Sequence, residues 1–146
     1  MTTFVLRIEG ERQHAQRAAV RLGGPNLFRP ANIIEPPYVV MNEGLRDLQV
    51  WRSQHWGMSR EPAKIYWRRD RDGAFVLVGK GGEGAPHPIA KQLSLDHPVT
   101  VDLVWSGVYH IGDGKRWSAG RETTLSLGRQ SELLKHAGLT HAALPF

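Results

Sequence analysis

The chain has 146 residues, of which 40% are hydrophobic and 23% are charged, and this is the composition of an ordinary globular protein. The length predicts a single domain over residues 1–146 that can bury its own core. Cysteine is absent, which excludes disulfides, thiolate metal sites and a cysteine nucleophile.

Positive charge is concentrated in the first half of the chain. The 19 lysines and arginines outnumber the 14 acidic residues, for a formal net charge of +5. Residues 1–71 hold 12 basic and 7 acidic side chains, whereas residues 72–146 hold 7 of each. Arginine provides 14 of the basic residues, and its planar set of donors suits phosphate and carboxylate groups. The charge distribution therefore favours an anionic partner.

The sequence shows no sign of export or membrane insertion. Its first residues alternate between polar and apolar and then become charged, which is not the pattern of a signal peptide. No apolar run approaches the roughly 18 residues that a membrane span requires. We therefore expect a cytoplasmic protein with no membrane partner.

The chain opens with a predicted strand and a predicted helix. Phe4, Leu6 and Ile8 alternate with polar residues, which is the pattern of a half-buried strand that ends at Gly10. From Glu11 to Leu22 the apolar residues recur instead at helical spacing, as Ala15, Ala18, Ala19 and Leu22.

The following segment is rich in proline. Residues 25–37 contain four prolines and are predicted to form a loop that leads to a short strand at Tyr38–Met41. Asn42 is a suitable N-cap for a second helix from Glu43 to about Trp56.

A β-hairpin is predicted around Asp70-Arg71-Asp72-Gly73, because Asp-Gly between two β-rich runs provides the positive φ angles of a tight turn. The arms are Ala63–Arg69 and Ala74–Gly79. On the first arm, alternation places Tyr66 and Arg68 on one face. The other face carries Ile65, Trp67 and Arg69.

The second half is predicted to contain further strands and a final helix. The predicted elements are a loop to Pro88, one or two helical turns at Ile89–Leu93, strands at Val99–Trp105 and Val108–Ile111, a turn at Gly112-Asp113-Gly114-Lys115, a strand at Arg121–Leu127 and a helix at Arg129–Ala137. This order predicts an α+β domain, with a largely antiparallel mixed sheet and two to three helices packed on it.

A glycine-rich segment, Gly79-Lys80-Gly81-Gly82-Glu83-Gly84, matches G-x-G-x-x-G. A dinucleotide site would need these glycines to open a long helix in a parallel βαβ unit, and this sequence provides no such helix. A flexible flap that carries Lys80 and closes over an anion is the weaker hypothesis, and a simple connecting loop is its alternative.

The seven histidines form no H-x-x-x-H or H-E-x-x-H pair, so we predict neither a metal nor a cofactor. Asp102 followed by Asp113-Gly114-Lys115 resembles the acidic set of a magnesium-dependent nuclease. That set requires a strand at 113–115, whereas the surrounding glycines predict a turn.

Cleavage of a phosphodiester without a metal would need a general base, a general acid and cations at the phosphate. His87, His110 and Lys80 could provide these groups if the hairpin and the glycine-rich segment met across a cleft. A toxin-like nuclease or phosphodiesterase is therefore an alternative function.

The favoured interpretation is a small basic binding protein rather than an enzyme. Arginine neutralises phosphate and aromatic rings stack on bases, so its partner would be a nucleic acid, a nucleotide-like ligand or an acidic protein surface. The first helix, the second helix and the hairpin would form one contact surface from Arg17, Arg21, Arg52, Trp56, Tyr66, Arg68, Arg69 and Lys80. Tyr66, Trp56 and Trp117 are expected at the surface or at the rim of a pocket, whereas Trp51, Trp67 and Trp105 are expected in the core. A homodimer that binds a small ligand in an aromatic pocket is the second alternative.

Overall fold

The computed structural model describes residues 2–22, 38–39, 62–107 and 110–139. Its elements are β1 (Thr2–Glu9), α1 (Arg12–Arg21), β2 (Tyr38–Val39), β3 (Lys64–Arg69), β4 (Phe75–Gly82), α2 (His87–Asp96), β5 (Thr100–Gly107), β6 (His110–Ser118), β7 (Arg121–Thr124) and α3 (Leu127–Leu134), with a 3₁₀ turn at Lys135–Ala137. The predicted helix from Glu43 to Trp56, with Trp51, Arg52 and Trp56, lies outside the described residues. None of the described helices is long and apolar enough to cross a membrane.

The strands form one sheet in the order β2-β3-β4-β1-β5-β6-β7. Every pair of neighbouring strands is antiparallel. The α+β prediction is confirmed, and the described sheet is antiparallel throughout rather than mixed. The first strand of the chain lies in the middle of the sheet, between β4 and β5.

Helices cover both faces of this sheet. On one face, α1 and α2 pack over Phe4, Leu6 and Ile8, and the alanine stripe predicted for α1 is buried there. On the other face, α3 and the 3₁₀ turn pack over Val5. The prediction that β1 is half-buried is therefore wrong, because its second face is covered too and even Arg7 is only 3% exposed.

The predicted hairpin is confirmed, but the glycine-rich segment is not a flap. β4 continues to Gly82 and pairs with β1 as far as Thr2. Gly79 lies opposite Phe4, and a Cβ added at Gly79 would lie 2.5 Å from Phe4 Cζ. This glycine therefore makes room for a core ring. The loop predicted to reach Pro88 is also too long, since α2 begins at His87.

The turn predicted at 112–115 is likewise wrong, because β6 runs unbroken from His110 to Ser118. Gly114 is a strand residue beneath α3. A Cβ at this position would lie 2.9 Å from Gln130 Cγ and from Val104 Cγ1. The glycine allows α3 to approach the sheet closely, which its sequence neighbours alone do not reveal.

Candidate functional site

Three carboxylates surround the buried guanidinium of Arg7. Arg7 Nε donates to Asp70 Oδ2 at 3.0 Å, and its other nitrogens contact Glu9 and Asp72. Burial alone lowers the pKa of Arg7, but the hydrogen bonds to Glu9 and Asp70 and the charge of Asp72 raise it above its ordinary value. The charge of Arg7 is therefore balanced by carboxylates of the same chain.

A second ion-pair cluster surrounds Asp102, which is 1% exposed. Arg116 donates to it from Nε at 2.7 Å and from Nη2 at 3.0 Å, and Arg129 Nη2 lies 3.6 Å away. The hydrogen bond to Asp102 is the largest cause of a raised pKa at Arg116. Asp102 is thus shared by two guanidinium groups, and Arg129 also pairs with Glu132 at 2.9 Å.

The positions of Asp102 and Asp113 do not fit the acidic set of a magnesium-dependent nuclease. Asp102 pairs with Arg116 on the α3 face of the sheet. Asp113 pairs with Trp105, which packs on the opposite face beneath α1 and α2. The two carboxylates are therefore separated by the sheet. Across the described ranges, no group of three or more His, Asp or Glu side chains could hold a metal ion.

Arg21, a predicted binding residue, links two helices. Its Nη1 lies 2.6 Å from Asp96 Oδ2 at the end of α2. Burial raises the pKa of Asp96, but the hydrogen bonds from Arg21 and Gln92 outweigh burial and lower it. Arg17 lies one turn earlier on α1 and is exposed.

Two lysines converge on one ring at the β3–β4 pair. Lys64 lies directly opposite Lys80 in the register, and their Nζ atoms lie 5.4 Å and 5.7 Å from the centroid of Tyr66. In the part of the chain that the structure describes, neither lysine forms an ion pair with a carboxylate. We call Lys64, Tyr66, Arg68 and Lys80 the β3–β4 basic surface.

Arg68 extends this surface along β3. It shares a face with Lys64 and Tyr66, because alternate residues of a strand point the same way. Its Nε atom is buried and has no hydrogen-bond partner among residues 62–107 or the other described ranges. A buried donor left unsatisfied costs about 1–3 kcal/mol. Unlike Arg7 and Arg116, this guanidinium forms no ion pair with a carboxylate of the described residues.

Tyr66 itself is covered, so the expectation of an exposed ring is wrong. The side chain is 8% exposed and belongs to the cluster beneath α3 and the 3₁₀ turn. Its hydroxyl donates to the carbonyl oxygen of His136 at 3.3 Å. In the β3–β4 basic surface the aromatic ring therefore lies beneath the cations.

His136 lies against the same hairpin. Its Nε2 is 3.5 Å from Asp70 Oδ2, and its side chain is 16% exposed. Burial is the largest cause of a lowered pKa at His136, and the charges of Arg68 and Arg7 lower it further, against the opposing effect of Asp70.

The sheet divides the predicted contact surface. Tyr66, Arg68 and Lys80 lie on the α3 face, whereas Arg17 and Arg21 belong to α1 on the other face. The single surface expected from the first helix and the hairpin is therefore not formed.

Arg69 lies on the α1 face, with its guanidinium 4.5 Å from the centroid of Phe75 and its Nε donating to Gly73 O at 3.1 Å. It lines a groove of about 680 Å³ at the end of the hairpin. The other residues of the groove are Glu9, Gly10, Arg12, Ala15, Asp72, Gly73, Ala74 and Phe75.

The three residues of the nuclease hypothesis are not gathered into one site. The His87 ring packs edge-on against Trp105, with centroids 4.3 Å apart, and lies 6.0 Å from Trp117. Both tryptophans belong to the core under α1 and α2, so His87 and Lys80 lie on opposite faces. Only the backbone of His110 is described, and it pairs with Gly107.

The core placement predicted for Trp67 and Trp105 is confirmed, since Trp67 is buried and Trp105 packs against the core. Trp117 was expected at the surface and is 2% exposed, because α2 covers its strand face. Lys64 was missed. Its two-residue offset from Tyr66 in a predicted strand was the signal that could have placed it beside the ring and Arg68.

Known proteins give no information about the function of this chain, so a proposal must rest on the site. No protein-family model, curated protein or solved structure matches the chain.

Proposed function

We propose that this protein binds an anionic partner through the β3–β4 basic surface, with Lys64, Arg68 and Lys80 as the contacting groups. The observation that carries the proposal is the Lys64–Lys80 pair, directly opposed on neighbouring strands and without a carboxylate within the described chain. Like charges in this arrangement destabilise a sheet. Contact with the Tyr66 ring offsets the repulsion by about 0.5–1 kcal/mol per cation. A bound anion would attract both lysines and so offset the repulsion between them.

The shape of the surface favours a partner with repeated charges. Lys64 and Arg68 are four residues apart on β3, which corresponds to about 13 Å along a strand. A small anion would not span this distance, whereas a nucleic-acid backbone carries phosphates along its length. The Tyr66 ring is covered and offers no platform for a stacked base. We therefore propose phosphate contacts, which bind nucleic acid with little preference for sequence.

A matched pair of variants tests this proposal. Lys64→Gln/Lys80→Gln removes two charges from the surface, and Lys91→Gln/Arg121→Gln removes two exposed charges elsewhere. Fluorescence anisotropy with labelled duplex DNA and RNA would give the affinity between 50 and 200 mM salt. Each lost phosphate contact reduces the slope of log affinity against log salt by about 0.9. We expect the first variant to reduce the slope by nearly twice this amount, because it loses two contacts. The slope of the second variant should stay close to that of wild type.

Two outcomes would contradict the proposal. One is a lack of binding to either nucleic acid at 50 mM salt by a folded wild-type protein. The other is an equal loss of affinity in both double variants, which would mean that only net charge matters. The same labelled substrates, incubated with and without EDTA, also test the nuclease alternative: cleavage that disappears in His87→Ala would replace binding by catalysis as the function. The homodimer hypothesis stays a prediction, and light scattering would test it by measuring the mass of the protein in solution.

A further inference from the structure

We infer that anion binding at the β3–β4 basic surface is coupled to proton uptake by His136, so that the affinity is higher at acidic than at neutral pH. This inference rests on the proposed function and adds a form of regulation to it. The 3₁₀ turn that follows α3 brings His136 onto the hairpin that carries the cations.

His136 contacts the hairpin on both sides of Arg68. Its carbonyl oxygen accepts the hydrogen bond from Tyr66, and its imidazole Nε2 lies 3.5 Å from Asp70 Oδ2. Tyr66 precedes Arg68 by two residues and Asp70 follows it by two. The imidazole is therefore held close to the guanidinium that would contact the anion, and it is largely shielded from water.

The charges that face His136 come from several elements. Asp70 in the hairpin turn favours the imidazolium, whereas Arg68 on β3 and Arg7 on β1 oppose it. Lys135 precedes it in the same turn and is exposed. Burial has the largest effect, and together with the arginines it lowers the pKa of His136 from its ordinary value, which disfavours the imidazolium in the free protein.

An anion on Arg68 would change this balance. It would cancel one of the positive charges that oppose the imidazolium, while Asp70 would remain as a counter-charge. The pKa of His136 would then be higher in the complex than in the free protein. Because linkage between two binding events is reciprocal, protonation of His136 must strengthen anion binding by the same factor. A pKa difference of half a unit to one unit corresponds to a change of about 3- to 10-fold in affinity.

The test measures the affinity for a DNA duplex from pH 5 to 8 at constant ionic strength, because phosphodiester charge is constant over this range. His136→Gln keeps the backbone carbonyl that accepts from Tyr66 and removes the titrating ring. His14→Gln is the matched control, since His14 lies on α1 on the other face of the sheet. We expect the affinity of wild type and His14→Gln to rise as the pH falls from 7.5 to 5, towards a limit of about 3- to 10-fold that is reached only below both pKa values of His136, and His136→Gln to lose most of this rise.

A second measurement needs no ligand. Arg68→Gln removes the same positive charge that an anion would cancel, so NMR titration of its imidazole signals is expected to give a higher pKa for His136 than in wild type. An unchanged pKa would refute the coupling. If DNA binds but its affinity is equally pH-dependent in His136→Gln, the coupling is wrong and the proposed function stands. If no DNA binds at any pH, the proposed function fails and the inference fails with it.

Discussion

Gly79→Ala tests whether the glycine-rich segment serves packing or ligand binding. Gly79 lies in β4 opposite Phe4, which is fully buried at the centre of the sheet. The new Cβ would lie 2.5 Å from Phe4 Cζ and closer still to Cε1, so the ring or the strand must move by about an ångström. Overpacking of this kind typically costs about 1–3 kcal/mol. We therefore expect the free energy of unfolding to fall by about 2 kcal/mol.

Urea denaturation measures this loss directly. With a slope of about 2 kcal/mol per molar urea, the midpoint should fall by about 1 M with an unchanged slope. Gly128→Ala is the control, because a Cβ there meets no atom within 4 Å and lies in α3. It should be neutral or stabilise by up to about 1 kcal/mol. Phe4→Leu should be less harmful in the Gly79→Ala background than alone, since it relieves the clash. A Gly79→Ala protein of wild-type stability with impaired anion binding would refute the packing explanation and restore the flap.

Two further predictions concern charge and pH. Lys64→Gln removes one member of the opposed pair, so without ligand it should leave the urea midpoint unchanged or raise stability by a few tenths of a kcal/mol, while binding to DNA weakens; a clear loss of stability would show that Lys64 is held structurally. Stability should fall on acidification. Burial is the largest cause of the lowered pKa of both His136 and His97, so the unfolded chain takes up these protons first as pH falls below 6.5, and stability decreases until the folded pKa is reached. Asp70 also has a lowered pKa, despite burial, because the Arg71 N–H and Arg7 hydrogen-bond to it; its stabilisation is present above pH 3.8 and is lost as pH falls through the folded pKa. Urea midpoints from pH 2 to 8 check both effects, and His136→Gln should flatten the upper part of the profile; equal midpoints at pH 7.5 and 5 would contradict the histidine effect.

The balance of charges separates binding candidates from structural ones more sharply than composition does. Arg7 and Arg116 are held by buried or partly buried carboxylates, and Arg21 joins two helices. Removing the carboxylate partner of the buried Arg7, or Arg116 from the buried Asp102, leaves a buried charge uncompensated and destabilises the fold. Lys64 and Lys80 have no such role in the described chain, which makes them suitable targets for testing function without unfolding the protein.

Local patterns in the sequence were sufficient for much of the secondary structure. The alanine spacing predicted α1, the Asp-Gly turn predicted the β3–β4 hairpin, and the alternation at Tyr66 and Arg68 predicted a shared face. These signals are reliable because they depend on contacts between residues close in the chain. Glycine was misleading for the same reason: its freedom suggested a flap at 79–84 and a turn at 112–115. At Gly79 and Gly114 the missing side chain instead leaves space for a residue distant in the chain.

By itself, the sequence determined the α+β class, the hairpin and the excess of cations. Only the tertiary structure decided which cations pair with carboxylates, because ion pairing depends on contacts between residues far apart in the chain, such as Arg7 with Asp70. The tertiary structure also decided which cations lie on the same face of the sheet. The central position of β1 and the register that sets Lys64 against Lys80 place α1 and the β3–β4 basic surface on opposite sides of one sheet. Long-range pairing of this kind leaves no trace in local spacing.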